Sequence, residues 1–131
     1  MIQFGTRFRL LLFIAAALAV LCLSVMPNPP VPHSGILSWD KLEHALAYAF
    51  LMILGGWALL PLVPSKLRAW RYALIIVIVY GALMEGLQAL FAAGRSGDLA
   101  DLLANALGGL MIYIPIRLLY GRMVRRDAEK R

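Results

Sequence analysis

The residues able to do chemistry are few, and they recur at helical spacing. In Asp40-Lys41-x-x-His44-x-x-x-Tyr48, the residues Lys41, His44 and Tyr48 stand at i, i+3 and i+7. That spacing puts them on one stripe of a helix. Glu85 precedes Gln88 by three residues, and Asp101 precedes Asn105 by four, with Asp98 one turn earlier. Both spacings also share a helix face. The turn Gly94-Arg95-Ser96-Gly97 links the second set to the third. An arginine fork suits bidentate contact with a phosphate. A histidine beside a carboxylate can serve as a general base. His44, Glu85 and Asp101 are therefore the catalytic candidates. Asp40, Lys41, His44, Tyr48, Glu85, Gln88, Arg95, Asp101 and Asn105 are the ligand-binding candidates. One histidine with two carboxylates is a loose pattern for a divalent metal compared with a spaced ligand motif. No metal site and no cofactor is assigned from the sequence.

The elements that must position these groups are apolar. Hydrophobic types make up 62% of the 131 residues and charged types 15%, with a mean hydropathy of +0.78. Soluble domains are nearer ~45–50% apolar and ~25% charged. A soluble domain of this size buries only about two-thirds of its unfolded surface, too little to hide so many apolar side chains. The composition excludes a soluble globule, a disordered chain and, with Cys22 the one cysteine, a disulfide scaffold. A transmembrane helix needs about 20 mainly apolar residues, and four stretches qualify, at about 8–26, 42–60, 72–93 and 99–120. Pro27, Pro29, Pro30 and Pro32 stop the first, Pro61 and Pro64 follow the second, and Gly94 follows the third. The first stretch reads as a retained helix rather than a signal peptide. Its apolar run is long for a signal, and no small-x-small cleavage site follows. The expected fold is all-α: an integral membrane four-helix bundle of up-down topology, a single domain over residues 1–131.

Charge orients this bundle. Of the 13 basic residues, Arg7, Arg9, Lys66, Arg68, Arg71, Arg117, Arg122, Arg125, Arg126, Lys130 and Arg131 fall on one side, leaving only Lys41 and Arg95 on the other. The positive-inside rule makes the first side cytoplasmic, with both termini inside. Asp40, Glu43, Glu85, Asp98 and Asp101 fall in the outer half. The net charge of +6 is thus a topological signal and a contact for lipid headgroups. Nucleic acid is not indicated, because the basic residues flank spans and no binding module stands behind them.

Lys41, His44, Arg95, Asp98 and Asp101 are expected near the outer surface, with Glu85, Gln88 and Asn105 one to two turns deeper. An ionisable group at mid-membrane costs about 2.5–3.5 kcal/mol on insertion scales, so such groups face the bundle interior and pair. Three helices would offer polar faces to one outward-opening cavity. The structural alternative has Glu85 neutralised by Arg95 or His44, Asn105 bridging helices, and Asp40 and Asp98 capping helix starts. Gly81 and Ala82 on the third helix, and the ridge Ala100, Ala104 and Gly108 on the fourth, allow close packing. Trp39, Tyr48, Trp57, Trp70, Tyr72 and Tyr113 read more simply as interface anchors near span ends.

Taken in order, these residues resemble the VanZ-like membrane proteins. Asp40-Lys41-x-x-His44-x-x-x-Tyr48 looks like their first motif. Glu85-x-x-Gln88, Arg95 in a Gly-Arg-Ser turn, and Asp101-x-x-x-Asn105-x-x-Gly108 resemble the second. The resemblance covers about residues 39–112, and the first helix and the tail match only in hydropathy and charge. One departure is Ile112, where a small residue is expected. The resemblance implies a bacterial cytoplasmic-membrane protein of the cell envelope and a link to low-level teicoplanin resistance. It implies no catalytic role. The reading that follows is a non-enzymatic envelope protein binding a lipid-linked, glycopeptide or other amphiphilic anionic ligand. The alternatives are an intramembrane enzyme acting on a lipid phosphate, a small proton-coupled transporter or scramblase, and a helper that packs against envelope proteins or a second copy of itself.

Overall fold

The computed structural model describes residues 4–25, 39–91 and 99–129. The described residues form four helices: α1 (Phe4–Val25), α2 (Trp39–Leu59), α3 (Lys66–Phe91) and α4 (Leu99–Glu129). Each is long and apolar enough to cross a membrane. α1 and α2 begin three to four residues before the hydropathy-based expectation, and two boundaries move further. α3 begins at Lys66 rather than near 72, because Lys66, Leu67, Arg68 and Ala69 are good helix formers whatever their polarity. Ser65 caps this start: its Oγ accepts from the Arg68 amide at 3.4 Å. α4 runs on to Glu129, with Pro115 inside it, well past the point where hydropathy falls. The expected loop between the second and third helices shrinks to residues 60–65, tightened by bonds from the Leu62 and Val63 amides to the Leu59 carbonyl. The other two links, with Arg95 and Asp98, lie outside the described residues.

Contacts fix the direction of each helix. Lys41 meets Asp101, His44 meets Asn105 and Ala45 faces Gly108, so α2 and α4 run parallel. Gly81 faces Asn105 while Gly109 faces Leu74 and Val77, so α3 runs opposite to α4. Gly55 faces Phe13, Arg9 meets Trp57 and Gln88 meets Ser24, so α1 is antiparallel to α2 and parallel to α3. This is the expected up-down order. α2, α3 and α4 pack mutually, whereas α1 packs on α2 and α3 alone among the described residues.

The distribution of polarity is inside out for water and right for lipid. Leu11, Leu107 and Leu118 are more than half exposed, while Glu85, Gln88 and Asn105 are buried. Lipid tails solvate leucine well and leave polar groups to find partners within the protein. The helices touch through small residues. A Cβ on Gly108 would collide with the carbonyl of Ala45, so the α2 and α4 backbones meet there. Ala104 is buried one turn earlier, which continues the ridge. Ile112, one turn later, packs beside a cluster of Met52, Ala73 and Tyr113. The larger side chain is accommodated there among apolar neighbours.

The aromatic residues need correction. Tyr48 (2% exposed) and Tyr113 (8%) are core residues and not interface anchors. Tyr48 packs with Leu51 and Val77 against α1 residues that include Phe13 and Val20. Trp70 lies over Gly56, and the Trp57 ring sits 4.7 Å beneath the Arg9 guanidinium. Position near a span end does not tell whether a ring faces lipid or a neighbouring helix. Tyr72, 45% exposed at the start of its span, does face outward.

Candidate functional site

The polar residues converge where the N-terminal ends of α2 and α4 meet the C-terminal half of α3. Lys41 Nζ donates to Asp101 Oδ1 at 2.9 Å, joining α2 to α4. One turn deeper, His44 Nδ1 lies 3.0 Å from Asn105 Oδ1. An amide oxygen can only accept, so Nδ1 carries a proton in this contact. Asn105 Nδ2 donates to Glu85 Oε1 at 3.4 Å, which brings in α3. His44 Nδ1 is also 4.0 Å from Glu85 Oε1. A short polar chain therefore runs from His44 through Asn105 to Glu85, beside the Lys41–Asp101 pair.

Burial is graded along the site. The Lys41 and Asp101 side chains are 18% and 14% exposed, and Asn105 is 1% exposed. The charged pair forms the mouth and the amide forms the floor. Small residues make this depth possible. A Cβ on Gly81 would lie 3.0 Å from the Tyr48 ring and 3.2 Å from Asn105 Cβ, so Gly81 leaves room for both. The Gly108 contact with Ala45 holds α2 and α4 close enough for the pairs above it to meet.

The candidates do not all join this cluster. Lys41, His44, Glu85, Asp101 and Asn105 come together. Gln88 points elsewhere, and its Nε2 donates to the Ser24 carbonyl at 3.2 Å, tying the ends of α3 and α1. Tyr48 lies one turn below His44 on α2, and its buried hydroxyl has no hydrogen-bond partner among the described residues. The Asp40 side chain and all of Arg95 lie outside the described part. The spacing argument also missed the tie from the Tyr80 hydroxyl to the Ala17 carbonyl. Its acceptor is a backbone group, which carries no residue-type signal.

Three donor groups of the cluster are near neighbours. One imidazole nitrogen of His44 and one oxygen each of Glu85 and Asp101 lie within 4.8 Å of one another. The sequence offered these residues only as a loose set, because they stand on three helices. The bundle closes that separation.

The family model described as VanZ/LLP1 matches residues 10–120, most of the chain and part of every helix. The match reaches further than the motif resemblance over 39–112 and takes in most of α1. No curated protein and no solved structure matches the chain.

Proposed function

The chain belongs to the VanZ-like family, and we propose that this multi-pass membrane protein binds the polar head of an amphiphilic, anionic ligand at the Lys41–His44–Glu85–Asp101–Asn105 cluster. The carrying observation is that three membrane-type helices bring a polar chain, His44–Asn105–Glu85, beside the Lys41–Asp101 pair at one end of the bundle. Ionisable groups in such helices are costly to insert and mark ligand or ion sites by default. In this reading the mouth faces outward, as the distribution of basic residues implies, and the protein resides in the bacterial cytoplasmic membrane. The apolar part of the ligand stays in lipid beside the exposed leucines. Lys41 contacts the anionic head, with Arg95, from the link between α3 and α4 in sequence, as the second cation of the proposal. A role in teicoplanin resistance follows if the ligand is the drug or a lipid-linked wall precursor.

The test is binding by the purified protein in nanodiscs. Isoprenoid phosphate should bind saturably and raise the unfolding temperature, while phosphatidylcholine should do neither. Lys41→Ala and Arg95→Ala should each weaken binding about tenfold, equivalent to about 1.4 kcal/mol. Equal response to both lipids, or wild-type affinity in both variants, refutes the reading.

A second reading has one specific observation behind it. His44 is oriented by Asn105 Oδ1 and flanked by Glu85, the arrangement of a positioned general base. On a lipid phosphate it would take a proton from water as the water attacks phosphorus, and return that proton to the lipid oxygen as the P–O bond breaks and the alcohol leaves. Phosphate release from isoprenoid phosphate, abolished in His44→Ala, would place the protein among the enzymes.

A further inference from the structure

We infer that His44, Glu85 and Asp101 form a binding site for a divalent transition-metal ion of the zinc or manganese class, which competes with the Lys41 ammonium for Asp101. The inference does not depend on the lipid reading.

The donor set is the first ground. One imidazole nitrogen and two carboxylate oxygens, one from each of three helices, lie within 4.8 Å of one another. Imidazole with carboxylate suits zinc, manganese and iron, whereas magnesium and calcium take oxygen alone. A tetrahedral ion with donors at about 2.1 Å needs them about 3.4 Å apart, so closing the set takes roughly 1 Å of side-chain movement. Glu85 and Asp101 can supply that through their terminal torsions, which are broad. With one histidine nitrogen on a metal, the other characteristically donates its proton to a fixed acceptor. With Nε2 as the ligating nitrogen, Asn105 Oδ1, 3.0 Å from His44 Nδ1, supplies that acceptor. Asn105 in turn donates to Glu85, so the same amide orients two of the three donors.

The second ground is that the site already attracts a cation. The Lys41 ammonium sits 2.9 Å from Asp101 Oδ1. That ammonium holds a place for which a divalent ion would compete. A divalent ion settling among the donors would displace Lys41 from Asp101. The freed ammonium, at the more exposed mouth, would be available to an anion from outside. The ion would turn an acidic set of donors into a centre that accepts a phosphate or carboxylate oxygen.

The experiment is a titration of the intact, metal-stripped protein in detergent with Zn2+ alone, followed by calorimetry, and with Mn2+ alone, followed by electron paramagnetic resonance. One ion per chain is expected, with a dissociation constant in the micromolar range. His44→Ala, Glu85→Gln and Asp101→Asn should each weaken it at least tenfold. Lys41→Met, which removes the competing charge and keeps the chain length similar, should tighten it severalfold. A variant that fails to fold leaves a measurement on the wild type: bound Co2+ should show visible absorption bands of nitrogen and oxygen ligation. Absence of saturable binding below about 1 mM overturns the inference. So does wild-type affinity in the three donor variants, or weaker binding in Lys41→Met. No lipid ligand is present in any arm, so failure here leaves the lipid-binding test standing, and the reverse also holds.

Discussion

The two ends of the bundle are held together by different means. At one end, Lys41, His44, Glu85, Asp101 and Asn105 connect α2, α3 and α4 through polar contacts. At the other, Trp70 lies over Gly56, Phe13 fits against Gly55, and Met52, Ala73 and Tyr113 form an apolar cluster. In lipid the apolar end gains from close van der Waals packing, since leaving the membrane's hydrocarbon for a neighbouring helix has little hydrophobic reward. The polar end gains far less. Replacing a buried ion pair with apolar groups is often neutral or stabilising. A protein that needed only to hold four helices together would be served by the packing at the apolar end. The difference assigns stability to one end and ligand chemistry to the other, and substitutions at each end can break that division.

The largest loss of stability is expected at the α2–α4 crossing beside the polar cluster. Gly108→Ala places a methyl group against the Ala45 carbonyl, a backbone atom that cannot swing aside. Alanine gains about 1 kcal/mol over glycine in helix propensity. Forcing two helices apart costs more, and overpacking of this kind reaches about 3 kcal/mol. Thermal unfolding in detergent should drop clearly, and ligand binding should fall with it, because the same crossing sets the distance between His44 and Asn105. An unchanged unfolding temperature would mean that α2 and α4 are not held in contact there.

A smaller loss is expected at the apolar end. Gly56→Ala drives a methyl group into the Trp70 ring, whose edge can tilt away. The net loss should be about 1–2 kcal/mol, within the range for overpacked cores. Ligand and metal affinity should stay at the wild-type level, measured on the same preparation. A drop in affinity as large as that of Gly108→Ala would show that the two ends are coupled and would dissolve the division.

These expectations also show what the sequence could and could not reveal. Hydropathy and the proline breaks located all four helices, because a span must be apolar for its full length. They could not see the basic first turns of α3 or the extension of α4 to Glu129, where charged residues form good helix outside the apolar window. Within the site, spacing put His44 on the face of Lys41, and Asn105 on that of Asp101, because i, i+3 and i+4 neighbours share a face whatever packs against them. Spacing could not say where each face points. Gln88 shares Glu85's face at i+3, yet it bonds to the Ser24 carbonyl on α1. Tyr48 follows His44 by one turn and is part of the packed core. Glu85 sits where α3 looks toward α4, and Gln88 sits one turn later where it looks toward α1. Only the arrangement of helices separates those two directions.

The smallest effect on stability is expected from Glu85→Gln, and it bears most directly on the division between the ends. Glutamine keeps the shape and can still accept a hydrogen bond from Asn105 Nδ2 in place of Glu85 Oε1. What it loses is the charge beside His44. If Glu85 serves the fold, removing that charge from a buried pair should destabilise by about 3–5 kcal/mol, as breaking buried ion pairs does. If it serves a ligand, the fold is relieved of a charge that is expensive in the membrane. The unfolding temperature should then stay level or rise slightly, a change under about 1 kcal/mol. Divalent-ion affinity should fall at least tenfold in the same sample. The two readings thus predict a large loss of stability or none from one substitution, and thermal unfolding of Glu85→Gln beside Gly56→Ala decides between them. A variant less stable than Gly56→Ala would make the polar cluster a structural brace, whereas a variant as stable as the wild type but unable to bind would mark it as a site maintained for a ligand.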